Sequence, residues 1–300
     1  MNITVTGATG FIGSRLTQEL LDAGHIIHVL GRRRPPNLPP PVRFSAWPST
    51  DAEPPAESLA HAGAVIHLAG EPVAQRWTPQ VKSRIRASRV DGTRQLVNAL
   101  STQSRRPQVL VCASAIGFYG SRGDEVLAEG SHPGDDFLAR VVVEWEQAAA
   151  LAEALGIRVV QLRFGIVLGI GGALAKMLPP FRLGLGGRLG SGKQWMSWIH
   201  IADLTKLISF AVANSAVHGP VNATAPNPAT NTEFTKDLAA ALHRPAIFPV
   251  PRFALKLLLG EMADAVLASQ RVLPKAAQSA GFQFQYPELR TTLTALLSDI

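Results

Sequence analysis

Several residue types are scarce in this 300-residue sequence, and each scarcity excludes a class of protein. The single cysteine, Cys112, cannot form an internal disulfide, which is typical of proteins from reducing compartments. Charged residues make up 17% of the chain and hydrophobic residues 46%, a balance that excludes intrinsic disorder. No stretch approaches the ~18 apolar residues of a membrane-spanning helix, and the first residues do not resemble a signal peptide. We therefore expect a cytoplasmic protein with no membrane partner.

The formal net charge of +7 favours negatively charged partners, but the basic residues are scattered along the chain. The densest basic run is residues 32–34. Because the sequence has no basic stripe interleaved with aromatic residues, we expect no nucleic-acid partner. No cluster of His, Cys, Asp and Glu has the spacing of metal ligands, so we expect no metal site.

Apolar runs and helical stretches alternate along the first half of the chain. The predicted strands are 3–6, 26–30, 42–46, 64–68, 109–113, 158–163 and 221–223, and the predicted helices are 11–23, 79–100, 137–155, 204–213 and 233–242. The strands are apolar throughout rather than at every second residue, which indicates burial on both faces. The predicted fold class is α/β, a Rossmann-type doubly wound parallel sheet with a smaller, mixed and mainly helical C-terminal lobe.

A glycine-rich turn follows the first predicted strand and opens the first predicted helix. Gly7 permits a tight turn, Gly10 lets the backbone approach a pyrophosphate, and Gly13 lets the helix pack closely against the sheet. The pyrophosphate then lies at the helix N-terminus, where free N–H groups and the helix dipole favour an anion. This context predicts a dinucleotide-binding loop. The residues expected to contact the dinucleotide are Gly7, Thr9, Gly10, Phe11, Ile12 and Gly13.

The end of the second predicted strand indicates which dinucleotide is bound. A site for NAD usually has an Asp or Glu there, about 20 residues beyond the glycines, to bind the ribose 2′-hydroxyl. This chain has Arg32 and Arg33 instead, whose guanidinium groups suit a 2′-phosphate, although they also suit a solvated basic loop. We therefore predict NADP(H) as the cofactor.

The composition changes after Arg163, because residues 165–193 are rich in glycine and leucine. We predict an NADP-binding domain at 1–165, with sheet-completing elements from about 195–225. The remaining residues, 166–300, are predicted to form a smaller substrate-side lobe that includes a terminal helical module at about 245–297.

Further motifs accompany the glycine loop, whose spacing is GxxGxxG. They are HLAG at 67–70, VDGT at 90–93 and LRFGIVLG at 162–169. With these motifs the chain resembles the extended short-chain dehydrogenase/reductase superfamily. The segments 181–187, 190–194 and 197–204 are similar to an atypical branch of it, the epimerase-family proteins. The C-terminal helices resemble that branch's terminal module, so the resemblance covers essentially the whole chain.

The resemblance implies further cofactor contacts by position. Leu68, Ala69 and Gly70 are expected to line the adenosine side, and Val167 to lie near the nicotinamide. Arg89, on the long helix, is expected to reach the cofactor's phosphates or ribose. An exposed helix arginine with no ligand is the alternative for Arg89, and the sequence leaves both open.

Proton transfer in the superfamily uses a Ser or Thr together with a Tyr-x-x-x-Lys helix. Ser114 is the Ser candidate in this chain, but the positions that match Tyr and Lys are Phe137 and Val141, neither of which can transfer a proton. Tyr119 lies five residues after Ser114 and is the candidate substitute acid. The alternative for Tyr119 is a packing residue.

Other polar and aromatic residues are expected to face the substrate. They are Glu71, Lys193, Gln194, Trp195, Trp198 and His200. His200 is a weak candidate for acid–base chemistry, since it and Asp203 also suit a structural role at the start of the next helix. The substrate is not identified, and we expect a monomer or a homodimer.

Two functions remain open. The first is an NADP(H)-dependent oxidoreductase or epimerase-like enzyme that acts on an unknown small molecule with a non-standard acid. The second is a non-catalytic regulatory or scaffold protein that binds NADP(H), for example one related to cell division. The loss of the Tyr and Lys favours the second.

Overall fold

The computed structural model describes residues 1–36, 38–48, 50 and 52–298. Residues 37, 49, 51, 299 and 300, which belong to the two predicted domains, lie outside the described residues. The division into two domains at residue 165 stays a prediction.

A seven-stranded parallel sheet forms the centre of the molecule, with its strands in the order β11–β7–β5–β4–β1–β2–β3. Its strands are β1 (Asn2–Thr6), β2 (Ile26–Gly31), β3 (Arg43–Ala46), β4 (Ala64–His67), β5 (Val109–Ala115), β7 (Arg158–Phe164) and β11 (Gly219–Ala223). The order reverses between β1 and β4, as in a doubly wound fold. The predicted fold class is confirmed.

Helices cover both faces of this sheet. They are α1 (Phe11–Asp22), α2 (Pro79–Ser101), α3 (Phe137–Ala150) and α5 (Ile201–Ala213). Apolar side chains of α1 and α5 pack on one face, and those of α2 and α3 on the other. Each helix therefore buries its apolar side against the continuous apolar strands.

The remaining elements form short sheets and a helical region. The short strands are β6 (Val126–Leu127), β8 (Ile166–Leu168), β9 (Trp195–Met196), β10 (Trp198–His200), β12 (Ala229–Thr230) and β13 (Arg271–Val272). The helices are α4 (Gly172–Arg182), α6 (Asn231–Ala241), α7 (Arg252–Leu259), α8 (Met262–Val266), α9 (Lys275–Ser279) and α10 (Leu289–Leu297). Strand β8 pairs with β10, β9 with β12, and β6 with β13. A separate apolar core joins α4, α6 and α10.

Three predicted helix boundaries differ from the structure by more than one residue. The predicted helix 137–155 is α-helical only to Ala150, and 151–155 is a tighter 3-10 helix that ends at Gly156 in the left-handed region. Helix α5 begins at Ile201, three residues before the prediction, because the His200 side chain caps it. Helix α6 begins at Asn231, where Thr230 and Glu233 form a capping box.

Candidate functional site

The predicted cofactor residues follow the carboxyl ends of neighbouring parallel strands. The glycine loop follows β1, Arg32 follows β2, and Leu68 follows β4. Because β1 and β4 are adjacent at the point where the strand order reverses, these segments border one crevice. Crevices at such reversals are where doubly wound folds bind their ligands.

Close backbone packing explains two of the glycines. Gly7 has a φ of 70°, and a Cβ there would lie 2.7 Å from the backbone carbon of Leu68. A Cβ at Gly13 would overlap with the carbonyl oxygen of Gly7. Larger residues at either position would push the loop away from β4 or from α1.

Backbone donors are free at the N-terminus of α1. Gly10 is the N-cap residue, no side chain caps the helix, and the first turn contains no acidic residue. The amide of Ser14 donates to the carbonyl of Gly10, so the amides of Phe11, Ile12 and Gly13 remain available. Three free amides at a helix N-terminus form an anion-binding site.

Arg32 and Arg33 lie in the exposed segment that follows β2. Within the described part of the chain, neither of them has an acidic partner within 4.0 Å. Two unpaired guanidinium groups beside the crevice suit a doubly charged phosphate.

A buried chain of hydrogen bonds through Thr6, His67 and Thr93 lies beneath the glycine loop, on the side of the sheet. The amides of Leu68 and Ala69 both donate to the hydroxyl of Thr6 at 3.1 Å. The hydroxyl hydrogen therefore goes to Nδ1 of His67, 2.7 Å away, and Nε2 of His67 donates to Thr93 at 3.1 Å. His67 is thus neutral, and its complete burial lowers its pKa to about 4.

Arg89 points inward, unlike its neighbours on α2. Its Nη1 donates to the carbonyls of Glu71 and Ile85 at 3.0 and 3.2 Å. A Cβ at Gly70 would lie 3.3 Å from the guanidinium carbon of Arg89. Desolvation lowers the pKa of Arg89 to about 10, against the opposing charge of Glu71. Arg84 and Arg86 are instead half exposed and pair with acids.

The ring of Phe11 connects the glycine loop to the segment after β8. Built Cβ atoms at Gly169, Gly171 and Gly172 would each lie 2.8 Å from this ring. The lack of side chains at these three glycines therefore leaves a recess for the Phe11 ring at the start of α4. Val167 lies on β8 just before this recess and is half-buried.

Ser114 is part of a buried ion-pair network rather than of an open site. Its hydroxyl donates to Oε1 of Glu146 at 2.6 Å. Arg163 donates to both oxygens of Glu146, at 2.8 and 2.7 Å. Burial disfavours the charge on Arg163, but the hydrogen bonds and charge of Glu146 outweigh it and hold its pKa above the ordinary value.

Tyr119 belongs to the same network and is fully buried. Its hydroxyl donates to Oδ1 of Asn222 at 2.7 Å and accepts from Arg163 at 2.9 Å. Burial raises the pKa of Tyr119, and the nearby charge of Arg163 opposes that shift. These contacts favour the packing alternative for Tyr119, and its role as a catalyst stays a prediction.

The two positions that match the proton-transfer pair are apolar and packed. The ring of Phe137 makes an edge contact with Trp77, with ring centroids 5.3 Å apart. Val141 is 2% exposed. The ammonium of Lys82 lies 5.1 Å from the centroid of the Phe137 ring and pairs with Glu261.

The predicted substrate-side residues do not form one cluster. The carboxylate of Glu71 accepts a hydrogen bond from Gln75 at 3.2 Å, and its backbone carbonyl accepts from Arg89. Lys193 is exposed. Gln194 and Trp198 are buried and donate to backbone carbonyls. We find no catalytic geometry in this group.

Trp195 and His200 have specific partners. Nε1 of Trp195 donates to Asp124 at 2.9 Å, and the guanidinium of Arg271 stacks on the indole at 4.3 Å. His200 accepts from the amide of Ala202 at 3.2 Å, and its ring lies 3.8 Å from that of Tyr286. Desolvation, assisted by the charge of Arg15, lowers the pKa of His200 to about 4.

Asp203 ties the C-terminal segment to the start of α5. Its carboxylate accepts from the amides of Gln285 and Tyr286, both at 2.9 Å. Burial raises the pKa of Asp203, and these hydrogen bonds oppose that shift. The contacts support the structural alternative for both His200 and Asp203.

Sequence reasoning missed Glu146 and Arg163. Arg163 is a charged residue near the end of the mainly apolar strand β7, and Glu146 faces the sheet from α3. A charge in a strand that is buried on both faces requires a partner of opposite charge, so Arg163 itself indicates in the sequence that such a partner exists. The identity of the partner depends on how α3 packs.

Among the described residues, no group of three or more His, Cys, Asp or Glu side chains has the arrangement of a metal site. No helix formed by those residues is both long and apolar enough to cross a membrane.

Comparison with known protein families agrees with this geometry. The sequence model of the NAD dependent epimerase/dehydratase family matches residues 3–223. The model of a domain of unknown function, DUF1731, matches residues 250–296.

Individual relatives are similar over the whole chain. Epimerase family protein YfhF of Bacillus subtilis (strain 168) is 40% identical over 300 residues, which cover 100% of this chain and 99% of YfhF. The chloroplastic epimerase family protein SDR39U1 homolog of Arabidopsis thaliana is 43% identical over 302 residues, covering 99% of this chain and 87% of the relative. The crystal structure of human epimerase family protein SDR39U1 (isoform2) with NADPH has a TM-score of 0.89 and 34% identity, covering 100% of both chains.

Proposed function

The chain belongs to the NAD dependent epimerase/dehydratase family, and on that basis we propose that it binds NADP(H) in the crevice between β1 and β4. The pair of exposed arginines, Arg32 and Arg33, is the observation that carries the choice of the phosphorylated dinucleotide. The human relative solved with NADPH supports it.

The residues around the crevice fit this cofactor. The amides of Phe11, Ile12 and Gly13 would hold the pyrophosphate, and Arg32 and Arg33 the 2′-phosphate. Leu68, Ala69 and Gly70 would line the adenosine side, with Arg89 beneath them, while Val167 would border the nicotinamide. The bound cofactor would supply hydride transfer.

We further propose that the protein is an oxidoreductase or epimerase-like enzyme that acts on a small molecule. Because Ser114 and Tyr119 are engaged in the buried network, any proton would have to come from another group or from water. The same observation favours a second candidate function, an NADP(H)-binding regulatory or scaffold protein without turnover.

A cytoplasmic location is also part of the proposal, on the grounds of the single cysteine. Cys112 is 1% exposed, and burial raises its pKa above the ordinary value. Such a buried thiol is unreactive.

Cofactor choice is tested by fluorescence titration with NADPH and with NADH. We expect NADPH to bind at least about tenfold more tightly, because NADH cannot pair with Arg32 and Arg33. Replacing both arginines with alanine should weaken NADPH binding by about 10–100-fold and leave NADH binding unchanged. The exposed Arg105→Ala variant is the control. Equal affinities in the parent protein would reject the NADP(H) proposal.

Turnover is tested separately with a panel of carbonyl compounds and nucleotide sugars in the presence of NADP(H), by measuring both NADPH absorbance and product formation. Consumption of NADPH supports an oxidoreductase, and conversion of a substrate without net consumption of NADPH supports an epimerase-like enzyme. Tight NADPH binding without turnover across the panel supports the regulatory protein. The two results are distinguishable because binding is measured first.

A further inference from the structure

A basic groove lies in the C-terminal lobe, outside the crevice described above. It encloses about 390 Å³ and is bordered by α6, the segment 243–249 and Arg188. Pockets of 300–1,000 Å³ are the size that binds small molecules. The groove is lined by Arg188, Thr232, Thr235, Lys236, Ala239, Ala240, Arg244, Ala246, Ile247 and Pro249. We refer to it as the α6 groove.

Two close backbone approaches fix the position of Arg188. A Cβ at Gly187 would overlap with the carbonyl of Phe248, and a Cβ at Gly192 would overlap with the hydroxyl of Thr232. The carbonyl of Arg188 accepts from the amide of Val250 at 2.9 Å. The backbone that carries Arg188 is therefore clamped between α6 and the segment after it.

Arg244 is positioned by an unusual backbone conformation. His243, just after α6, has a φ of 53° and is the only non-glycine with positive φ among the described residues. Its conformation turns the chain so that the amide of Arg244 bonds to the carbonyl of Ala239 at 3.0 Å. A left-handed residue directly after a helix is a common way for a helix to end, and here it fixes the direction of the chain at Arg244.

Three cations meet in the α6 groove without an acid among the lining residues. Lys236 and Arg244 have no ion pair with any described residue, and Arg188 donates only to the carbonyl of Ser191, at 2.6 Å. Like charges held together repel each other, and a bound anion would relieve that repulsion.

The acidic residues of α6 are directed elsewhere. Oε2 of Glu233 is engaged by the amide and hydroxyl of Thr230 in the capping box. Asp237 does not line the groove, and the charges of both Arg290 on α10 and Lys236 act on it. The α6 groove therefore keeps its positive character.

The rest of the lining is apolar or hydroxylic. Ala239, Ala246 and Ile247 provide an apolar wall, and Thr235 is 6% exposed with a hydroxyl that bonds no described residue. We propose that the α6 groove binds a phosphate ester, with the phosphate between Arg188, Lys236 and Arg244 and a carbon skeleton on the apolar wall. This site is separate from the cofactor residues and does not rest on the proposed function.

Nuclear magnetic resonance of backbone amides tests the proposal with phenyl phosphate as the probe. We expect saturable shifts at Lys236, Arg244 and Ile247, and about tenfold weaker binding of inorganic phosphate, which lacks the apolar body. Amides at residues 10–13 report separately on phosphate in the glycine loop, so the two sites are not confused.

Two variants make the test specific. Arg244→Ala should weaken phenyl phosphate binding about tenfold, because it removes a charge-assisted hydrogen bond, while Arg105→Ala should leave it unchanged. Equal binding by the two variants, shifts confined to residues 10–13, or no saturable shift would each overturn the proposal.

A vesicle experiment separates the two sources of such a phosphate. Co-sedimentation of the parent protein, but not of Arg244→Ala, with phosphatidylglycerol vesicles and not with phosphatidylcholine vesicles assigns the phosphate to a lipid headgroup. Phenyl phosphate binding without vesicle binding assigns it to a soluble ester. Both assignments require the phenyl phosphate shifts, and without those shifts the proposal is overturned whether or not vesicles bind.

Discussion

Ser114 and Glu146 share a buried hydrogen bond of 2.6 Å, and the same carboxylate oxygen also accepts from Arg163. Ser114, Arg163 and Asn222 lie side by side on β5, β7 and β11, and all three join the network that includes Glu146. In the superfamily, proton transfer takes place at the carboxyl edge of the sheet. In this chain, the ion pair between Glu146 and Arg163 fixes the side chains at that edge.

Breaking this ion pair should destabilise the fold. Glu146→Ala leaves the charge of Arg163 buried without a partner, so we expect the free energy of unfolding to fall by about 3–5 kcal/mol. Urea denaturation measures this change.

The matched control for that change is Glu144→Ala, two residues earlier on α3. Glu144 pairs with Arg86 at the surface, with side-chain exposures of 37% and 42%, so its loss should cost less than about 1 kcal/mol. Similar losses for the two variants would contradict the structural role of Glu146.

Tyr119→Phe separates packing from catalysis. Removal of the hydroxyl leaves Oδ1 of Asn222 without its donor, so we expect a stability loss of about 1–3 kcal/mol. Once a substrate is found, kcat/KM should stay within about twofold of the parent value, because a fully buried phenol does not reach a substrate. A loss of about 100-fold or more at unchanged stability would restore Tyr119 as the acid.

Local patterns predicted much of this molecule. The strand–turn–helix frame of the glycine loop and the arginines after β2 depend on residues that are close in sequence. The sequence left the inward position of Arg89 open, although helical spacing agrees with it, since Arg89 lies four residues after the buried Ile85.

Long-range pairing could not be predicted in the same way. Ser114 and Glu146 are 32 residues apart, and Glu146 and Arg163 are 17 apart. Which of the polar residues on α3 meets Arg163 depends on the rotation and register of that helix over the sheet. For the same reason, the sequence grouped Trp195, Trp198 and His200 on one substrate side, although the fold gives each a different partner.

Packing at the glycine loop is tested by a pair of alanine substitutions. Gly13→Ala places a methyl group against the carbonyl of Gly7, so the loop must shift, and we expect NADPH affinity to fall by at least about tenfold. Gly130→Ala is the control, because a Cβ there meets nothing within 4 Å. Equal NADPH binding by the two variants, measured by fluorescence, would contradict the close approach of α1 to the loop.

Acid should destabilise the fold through His67. The pKa of His67 is about 4 in the folded protein, where the ring is buried, and 6.5 in the unfolded chain, where it is not. The unfolded chain therefore takes up a proton at a higher pH than the folded chain. The contribution of His67 to stability is therefore complete above pH 6.5. It decreases as the pH falls and is lost below about 4, a change of about 3 kcal/mol.

Unfolding free energies measured between pH 7 and pH 4 test this pH dependence. His67→Gln should be less stable than the parent at pH 7, because the bonds to Thr6 and Thr93 are altered, but its stability should fall less steeply with acid. His132→Gln, which changes an exposed histidine, should keep the parent slope. The remaining slope of His67→Gln should include a contribution from His200, whose pKa is also about 4. An unchanged slope in His67→Gln would mean that folding does not lower the pKa of His67, which would in turn require a different hydrogen-bond arrangement beneath the glycine loop.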